Sequence, residues 1–261
     1  MRVARKRFGQ HFLHDTTVVA RIVAALAPQP GDAIVEIGPG PAALTGPLLT
    51  ACGELDAIEI DRDLAAELQQ RFAATPGFRL HVADALKFDW PALAAARGRR
   101  LRIVGNLPYN ISTPLLFRLL EHANLIQDMH FMLQKEVVDR IVAAPGSESY
   151  GRLGVMLAPR VCATRVLEVG PGAFTPPPRV RSAVVRLLVE PHPPPWATTP
   201  AYATVVSAAF GQRRKTLRNS LGKVLSEEQI RATGIDPGVR AETLAPFQFG
   251  ALALAVGTVL H

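Results

Sequence analysis

The stretch Asn106-Leu107-Pro108-Tyr109-Asn110 follows directly on an apolar run, Leu101 to Gly105, and its residue types suit a particular chemistry. An exocyclic amino group on adenine is a poor nucleophile because its lone pair is delocalised into the ring. A catalyst that makes it react must favour the pyramidal form. The Asn106 side-chain oxygen and the Leu107 carbonyl can each accept one N–H hydrogen bond and draw the lone pair out of the ring. Tyr109 can stack on a flipped base, and Pro108 stiffens the turn that aims the acceptors. Any two of these residues would read as an ordinary Asn/Pro turn after a strand. The four in order set the segment apart.

Three other strand ends offer polar groups. Ala33 to Ile37 leads into Gly38-Pro39-Gly40-Pro41, where the glycines allow a sharp turn close to a ligand and a helix start supplies free N–H groups. Ala43 stands where a dinucleotide fingerprint has its third glycine, and Pro39 and Pro41 remove donors that a pyrophosphate would use, which disfavours NAD. The second run ends in Glu59-Ile60-Asp61, where a carboxylate, Glu59 in preference to Asp61, would accept from both hydroxyls of a ribose. The third ends at Asp84, which can accept from an adenine amine, although an isolated Asp there is more often a helix cap. Together these ends outline a nucleoside site at the carboxyl edge of a parallel sheet.

The elements that must hold these residues alternate. Apolar runs at Ala33 to Ile37, Leu55 to Ile60, Phe78 to Ala83, Leu101 to Gly105 and Met129 to Leu133 are separated by stretches of helical spacing, such as Asp63 to Ala74. This is the pattern of βαβ units and predicts a doubly wound α/β domain. Thr164 to Val169 and Ser182 to Glu190 bracket a Gly/Pro-rich loop and would add strands at the far edge of the sheet. The expected division is a catalytic domain over residues 1–190, a stiff proline-rich linker over 191–200, and a small helical domain over 201–261.

Composition sets outer bounds. The chain has 261 residues, 48% of them hydrophobic and 20% charged, enough to bury a full core. No apolar run approaches the roughly 18 to 20 residues needed to cross a bilayer, and no secretory leader is evident at Met1, so a cytoplasmic protein is expected. Two cysteines, Cys52 and Cys162, without a paired spacing argue against a disulfide framework or structural zinc. A formal net charge of +7 favours a polyanionic partner. Basic clusters at Arg2 to Arg7, Arg97 to Arg102 and Arg213 to Lys223 are candidates for phosphate contacts.

Read as a whole, the sequence resembles the ribosomal RNA adenine N6,N6-dimethyltransferases, in both their housekeeping and antibiotic-resistance branches. The resemblance rests on Phe8 to Leu13, Glu36 to Gly40, Glu59, Asp84, Asn106 to Ile111, Phe174 to Val180 and Phe210 to Leu217. It implies a Rossmann-like methyltransferase domain with a mostly parallel sheet plus a small C-terminal helical domain, and S-adenosylmethionine as cofactor. His11, Leu13, Gly38, Glu59, Asp84 and Asn106 would contact that cofactor. Asn106, Leu107, Tyr109 and Phe174 would serve catalysis, with Phe174 the second aromatic wall across the base from Tyr109, although a Phe in such a loop can also be a core plug. Arg213, Arg214 and Lys215 would bind RNA. The implied substrate is a pair of adjacent adenosines in the 3'-terminal hairpin of small-subunit ribosomal RNA, presented on a precursor of the small subunit. A monomer without metal or membrane attachment is expected.

Two positions depart from the pattern. Position 11 is often Asn in this family and is His11 here, and Arg181 replaces an expected Asp. Alternative readings are a methyltransferase of large-subunit RNA, a nonenzymatic ribosome-assembly factor and a nicotinamide-dependent dehydrogenase. The basic run from Arg213 to Asn219 favours the housekeeping branch over the first. Intact Asn106, Tyr109, Glu59 and Asp84 argue against the second, and the proline-broken glycine loop against the third.

Overall fold

The computed structural model describes residues 11–257. Among these residues are nine strands: β1 (Phe12–Leu13), β2 (Ala33–Ile37), β3 (Leu55–Glu59), β4 (Phe78–Val82), β5 (Leu101–Asn106), β6 (Ile126–Gln134), β7 (Val161–Val169), β8 (Phe174–Thr175) and β9 (Ser182–Val189). Seven of them form one sheet in the order β4-β3-β2-β5-β6-β9-β7. The pairings from β4 to β6 are parallel and β9 runs antiparallel to β6. The strands expected from the sequence are all here, their ends shifted by up to three residues, and the last two do extend one edge.

Helices fill the connections: α1 (Thr16–Leu26), α2 (Thr45–Cys52), α3 (Arg62–Arg71), α4 (Trp90–Arg97), α5 (Ser112–Leu120), α6 (Lys135–Val142) and α7 (Arg152–Leu157). Local chemistry starts several of them. Asp61 Oδ1 accepts from the Asp63 and Leu64 amides to open α3, and Asp15 and Asp89 cap α1 and α4 in the same way. β2 and β3 are buried along their whole length, as parallel strands covered on both faces must be. The chain progresses outward from β2 in one direction through β3 and β4, and in the other through β5 and β6. The carboxyl ends of β2 and β5 therefore flank the point where the strand order reverses, the crevice in which open α/β sheets bind ligands.

The two-residue strands β1 and β8 pair antiparallel, Phe12 with Thr175 and Leu13 with Phe174, and His14 N donates to Ala173 O at 3.0 Å. This clasp had no signature in the sequence.

The chain divides into two compact units, residues 1–138 with 164–191, and residues 139–163 with 192–261. The boundary expected at residue 190 leaves 139–163 in the first domain, whereas its contacts lie with the second unit. In the second unit, α8 (Pro200–Gly211), α9 (Leu217–Ser220), α10 (Glu227–Ala232) and α11 (Pro246–Gly257) share one core with Tyr150 and Val155. Tyr202 donates to Val155 O and Tyr150 to Leu244 O, each at 2.7 Å, which ties the earlier segment to the later helices. The expected linker is only partly extended. Pro195–Thr198 forms a short 3-10 turn, Trp196 packs against the second core, and Thr199 caps α8.

Candidate active site

A cavity of about 330 Å³ opens at the strand-order reversal, lined from the ends of β2, β3, β4 and β5 together with His11, Phe12 and Leu13. The turn after β2 passes through left-handed backbone at Gly38 (φ 68°) and Gly40 (φ 54°), the conformation that favours glycine. Gly38 N donates to Ile58 O at 2.9 Å, and a side chain added at Gly38 would project into space with its nearest neighbour 4.0 Å away. The turn is thus both tied down and open on its ligand side.

Glu59 braces it. One carboxylate oxygen accepts from Gly40 N at 3.2 Å and the other from Asp61 N at 2.9 Å. Burial pushes its pKa up, opposed by those two amides. Each oxygen keeps a second lone pair, so the carboxylate can still accept from a ligand's hydroxyls. Asp84 reaches the same cavity while one of its oxygens accepts from Leu86 N at 2.9 Å, so it acts as a turn cap and a wall residue at once. Glu36, part of the motif that carries the resemblance but given no role there, lines the cavity at 2% exposure and accepts from Thr45 Oγ1 at 2.7 Å. Burial pushes its pKa up to about 7.

On the opposite side, Asn106 Nδ2 donates to His11 O at 2.8 Å. That bond commits Nδ2 as a donor and leaves Oδ1 free to accept on a residue that lines the cavity, as an amino-group acceptor requires. The Leu107 amide is held by Met132 O at 3.3 Å and its side chain is buried, which anchors the residue whose carbonyl is the expected second acceptor. The Tyr109 hydroxyl lies 2.9 Å from Ser182 Oγ. The His11 ring sits 5.8 Å from the Tyr109 ring at 30°, with Nδ1 2.8 Å from Pro176 O.

Of the residues expected at the site, His11, Leu13, Gly38, Glu59, Asp84, Asn106, Leu107 and Tyr109 all line the cavity. Phe174 does not. Its pairing with Leu13 turns the ring inward, where it is 3% exposed and packs among Val169, Ala173 and Val184. The aromatic neighbour of Tyr109 is His11 instead.

Arg213, Arg214 and Lys215 are exposed in the second unit, Arg213 Nε 3.6 Å from Glu242. The basic stretch from Arg97 to Arg102, expected to contact phosphate, is engaged within the protein. Arg97 pairs with Asp56 and Glu54 at 2.5 and 2.6 Å, and Arg102 bridges Asp32 and Asp128 at 2.7 and 2.9 Å. Arg99 and Arg100 donate to the Gly31 and Ile126 carbonyls. The cluster from Arg2 to Arg7 lies outside the described residues. Arg181, the unexpected base, faces Glu168 at 3.5 Å beside Lys135 and Arg165. Among the described residues no group of His, Cys, Asp and Glu could hold a metal ion, and no helix is long and apolar enough to cross a membrane.

The family model for ribosomal RNA adenine dimethylases matches residues 1–255. The chain belongs to this family. As an adenine dimethylase it is an S-adenosylmethionine-dependent methyltransferase of ribosomal RNA, and its mostly parallel sheet is the Rossmann-like fold of such enzymes. Relatives named ribosomal RNA small subunit methyltransferase A, from Methylococcus capsulatus and Escherichia coli, are 55% and 52% identical. The matches span 93% and 96% of this chain, and 94% and 92% of the relatives. A dimethyladenosine transferase from Plasmodium falciparum shares the fold, with TM-score 0.78 over 95% of this chain and 98% of that one at 24% identity. The 23S ribosomal RNA methyltransferase ErmE superposes with TM-score 0.73 at 25% identity, over 94% of this chain and 99% of its own.

The cavity suits the dimethylase cofactor. Its wall carries the Glu59 and Asp84 carboxylates for hydroxyl and amine donors, and Gly38 leaves a gap that a Cβ would fill.

Proposed function

We propose that this dimethylase modifies two adjacent adenosines near the 3' end of small-subunit ribosomal RNA during ribosome assembly, in the cytoplasm. The relatives named for the small subunit, at 51–56% identity, support this choice over the large subunit, whose methyltransferase is 25% identical. The observation that carries the catalytic reading is the Asn106 amide, committed as donor to His11 O and so presenting Oδ1 as acceptor.

When bound, S-adenosylmethionine supplies an electrophilic methyl group on a cationic sulfonium. In this reading Glu59 takes the ribose hydroxyls and Asp84 the adenine amine, while His11, Leu13 and Gly38 enclose the rest of the cofactor. Asn106 Oδ1 and the Leu107 carbonyl accept the two N–H groups of the target amine. That arrangement stabilises the pyramidal amine more than the planar one, which is where a rate gain must come from. Tyr109 stacks on the extruded base and keeps the amine aligned. No general base is required, because the methylated amine is cationic and loses its proton to water. Arg213, Arg214 and Lys215 on the second unit contact phosphate.

The test is transfer of labelled methyl groups from S-adenosylmethionine to immature small subunits, large subunits and protein-free RNA, followed by nucleoside analysis. The expected product is N6,N6-dimethyladenosine in the small-subunit RNA alone. Label in the large-subunit RNA instead would overturn the assignment.

A further inference from the structure

The outer end of the Tyr109 ring is held by a residue outside the set expected at the site. Its hydroxyl is 2.9 Å from Oγ of Ser182, the first residue of β9, which is 0% exposed. Two hydroxyls sharing one hydrogen bond carry two protons, of which one lies between the oxygens and the other needs a partner elsewhere. Ser182 Oγ has no other hydrogen-bond partner among the described residues and no exposed surface. Tyr109 is half-buried and borders the cavity. If Tyr109 donated, the serine proton would be left buried and unpaired, the costlier arrangement. Ser182 therefore donates to Tyr109, and the phenolic proton is the one left for a partner outside the pair.

We infer that Ser182 is a positioning residue for methyl transfer: it fixes the rotation of the Tyr109 ring and leaves the phenolic O–H as a donor to the target nucleotide. The inference rests on the stacking role proposed for Tyr109. The anchor is firm where the ring's own support is not. Ser182 pairs with Gln134 across the β6–β9 ladder, and the neighbouring Arg181 O accepts from Lys135 N at 2.9 Å. Tyr109 itself sits in the turn between β5 and α5, outside regular structure. One hydrogen bond thus transfers the rigidity of the sheet to a loop ring that must meet a base face-on.

The experiment is a double-mutant cycle of Ser182→Ala and Tyr109→Phe with Tyr109→Ala alongside, reading kcat and KM on immature small subunits and cofactor affinity by calorimetry. Tyr109→Phe breaks the same bond without touching β9, so the cycle survives a poorly folding serine variant. Each single change should lower kcat about 3- to 10-fold, with KM and cofactor affinity retained, and the double variant should be no worse than Tyr109→Phe alone. Multiplicative losses in the double variant would mean that the serine acts through β9 and would overturn the inference. So would a wild-type kcat in Ser182→Ala or in Tyr109→Phe. Wild-type turnover in Tyr109→Ala would remove the stacking role itself, a different failure from a defective Tyr109→Ala beside a fully active Ser182→Ala.

Discussion

Asn106 and Glu36 face the same cavity with opposite requirements. In the proposed mechanism Asn106 presents an acceptor, whose value appears only as the target amine becomes pyramidal. Asn106→Ala should therefore reduce kcat by about 10²-fold or more, by analogy with deleting an oxyanion-hole donor, while RNA binding is kept. Single-turnover assays beside particle-binding measurements check this, and a variant with the wild-type rate would remove the proposed catalytic role. Glu36 is a carboxyl pushed up to about 7 from 4.5 by burial, against a lowering by the Thr45 hydrogen bond. An acid whose folded pKa exceeds its unfolded one binds more protons when folded, so its contribution to stability falls as pH rises from about 4.5 to about 7 and is level above. Glu36→Gln keeps an acceptor for Thr45 and should abolish that part of the slope. At alkaline pH it should stabilise the protein by up to about 3 kcal/mol. Urea titrations at about pH 5 and pH 8 would read the difference, and identical slopes in both proteins would count against a strained Glu36.

The strand ends that frame the site depend on close backbone approach. A Cβ at Gly105 would lie 2.5 Å from the Ile37 carbonyl oxygen and 3.3 Å from Leu107 Cδ2, so β5 could accept a side chain there only by moving away from β2. Gly105→Ala should cost about 1–3 kcal/mol of stability and weaken cofactor binding together. Chemical denaturation and calorimetry test the pair, and a wild-type result in both would show that the contact yields. Elements of this kind are legible because largely buried strands are apolar and their ends must turn: Gly38 is legible as the turn glycine, and Glu59, Asp84 and Asn106 as polar residues at or just beyond the ends of apolar runs. The β1–β8 clasp was not legible, since two-residue strands have no periodicity and exist only through a partner some 160 residues away. Ser182 escaped for a related reason. A serine opening a strand has no signature until the fold brings Tyr109 to it. Proline content points to a boundary at 191–200 and leaves 139–163 with the first domain, while the contacts of Tyr150 and Val155 group that segment with the second unit.

At the scale of the molecule, the formal charge of +7 is not spread as the sequence suggested. Arginines 97 and 102 are spent on internal ion pairs, so they neutralise this chain's own carboxylates and not phosphates. Under the proposed function, the attraction for RNA is assigned to exposed residues such as Arg213, Arg214 and Lys215. Affinity for the small-subunit particle should fall with salt with a log–log slope of about 0.7 to 0.9 per phosphate contact. Replacing those three residues by Ala should flatten the slope, while Arg97→Ala should leave it unchanged. Filter-binding across a salt series measures both, and an unaltered slope in the triple variant would mark that run as a solvated face. The same charge could not have been apportioned from sequence, where a paired arginine and a free one look alike.

The group that orients Asn106 is the main-chain carbonyl of residue 11, not its side chain. This separates two kinds of genetic change. Substitutions at position 11 leave that carbonyl in place and should leave the orientation of Asn106 unchanged, whatever they do to the contacts the His11 ring makes with Tyr109 and Pro176. Insertion or deletion of a single residue between His11 and Leu13 is another matter: a strand shifted by one residue presents its opposite side, so the arm would offer an amide where the carbonyl stood and expose Leu13 in place of burying it. For the orientation of Asn106, the arm of this enzyme should therefore be permissive in spelling and strict in length.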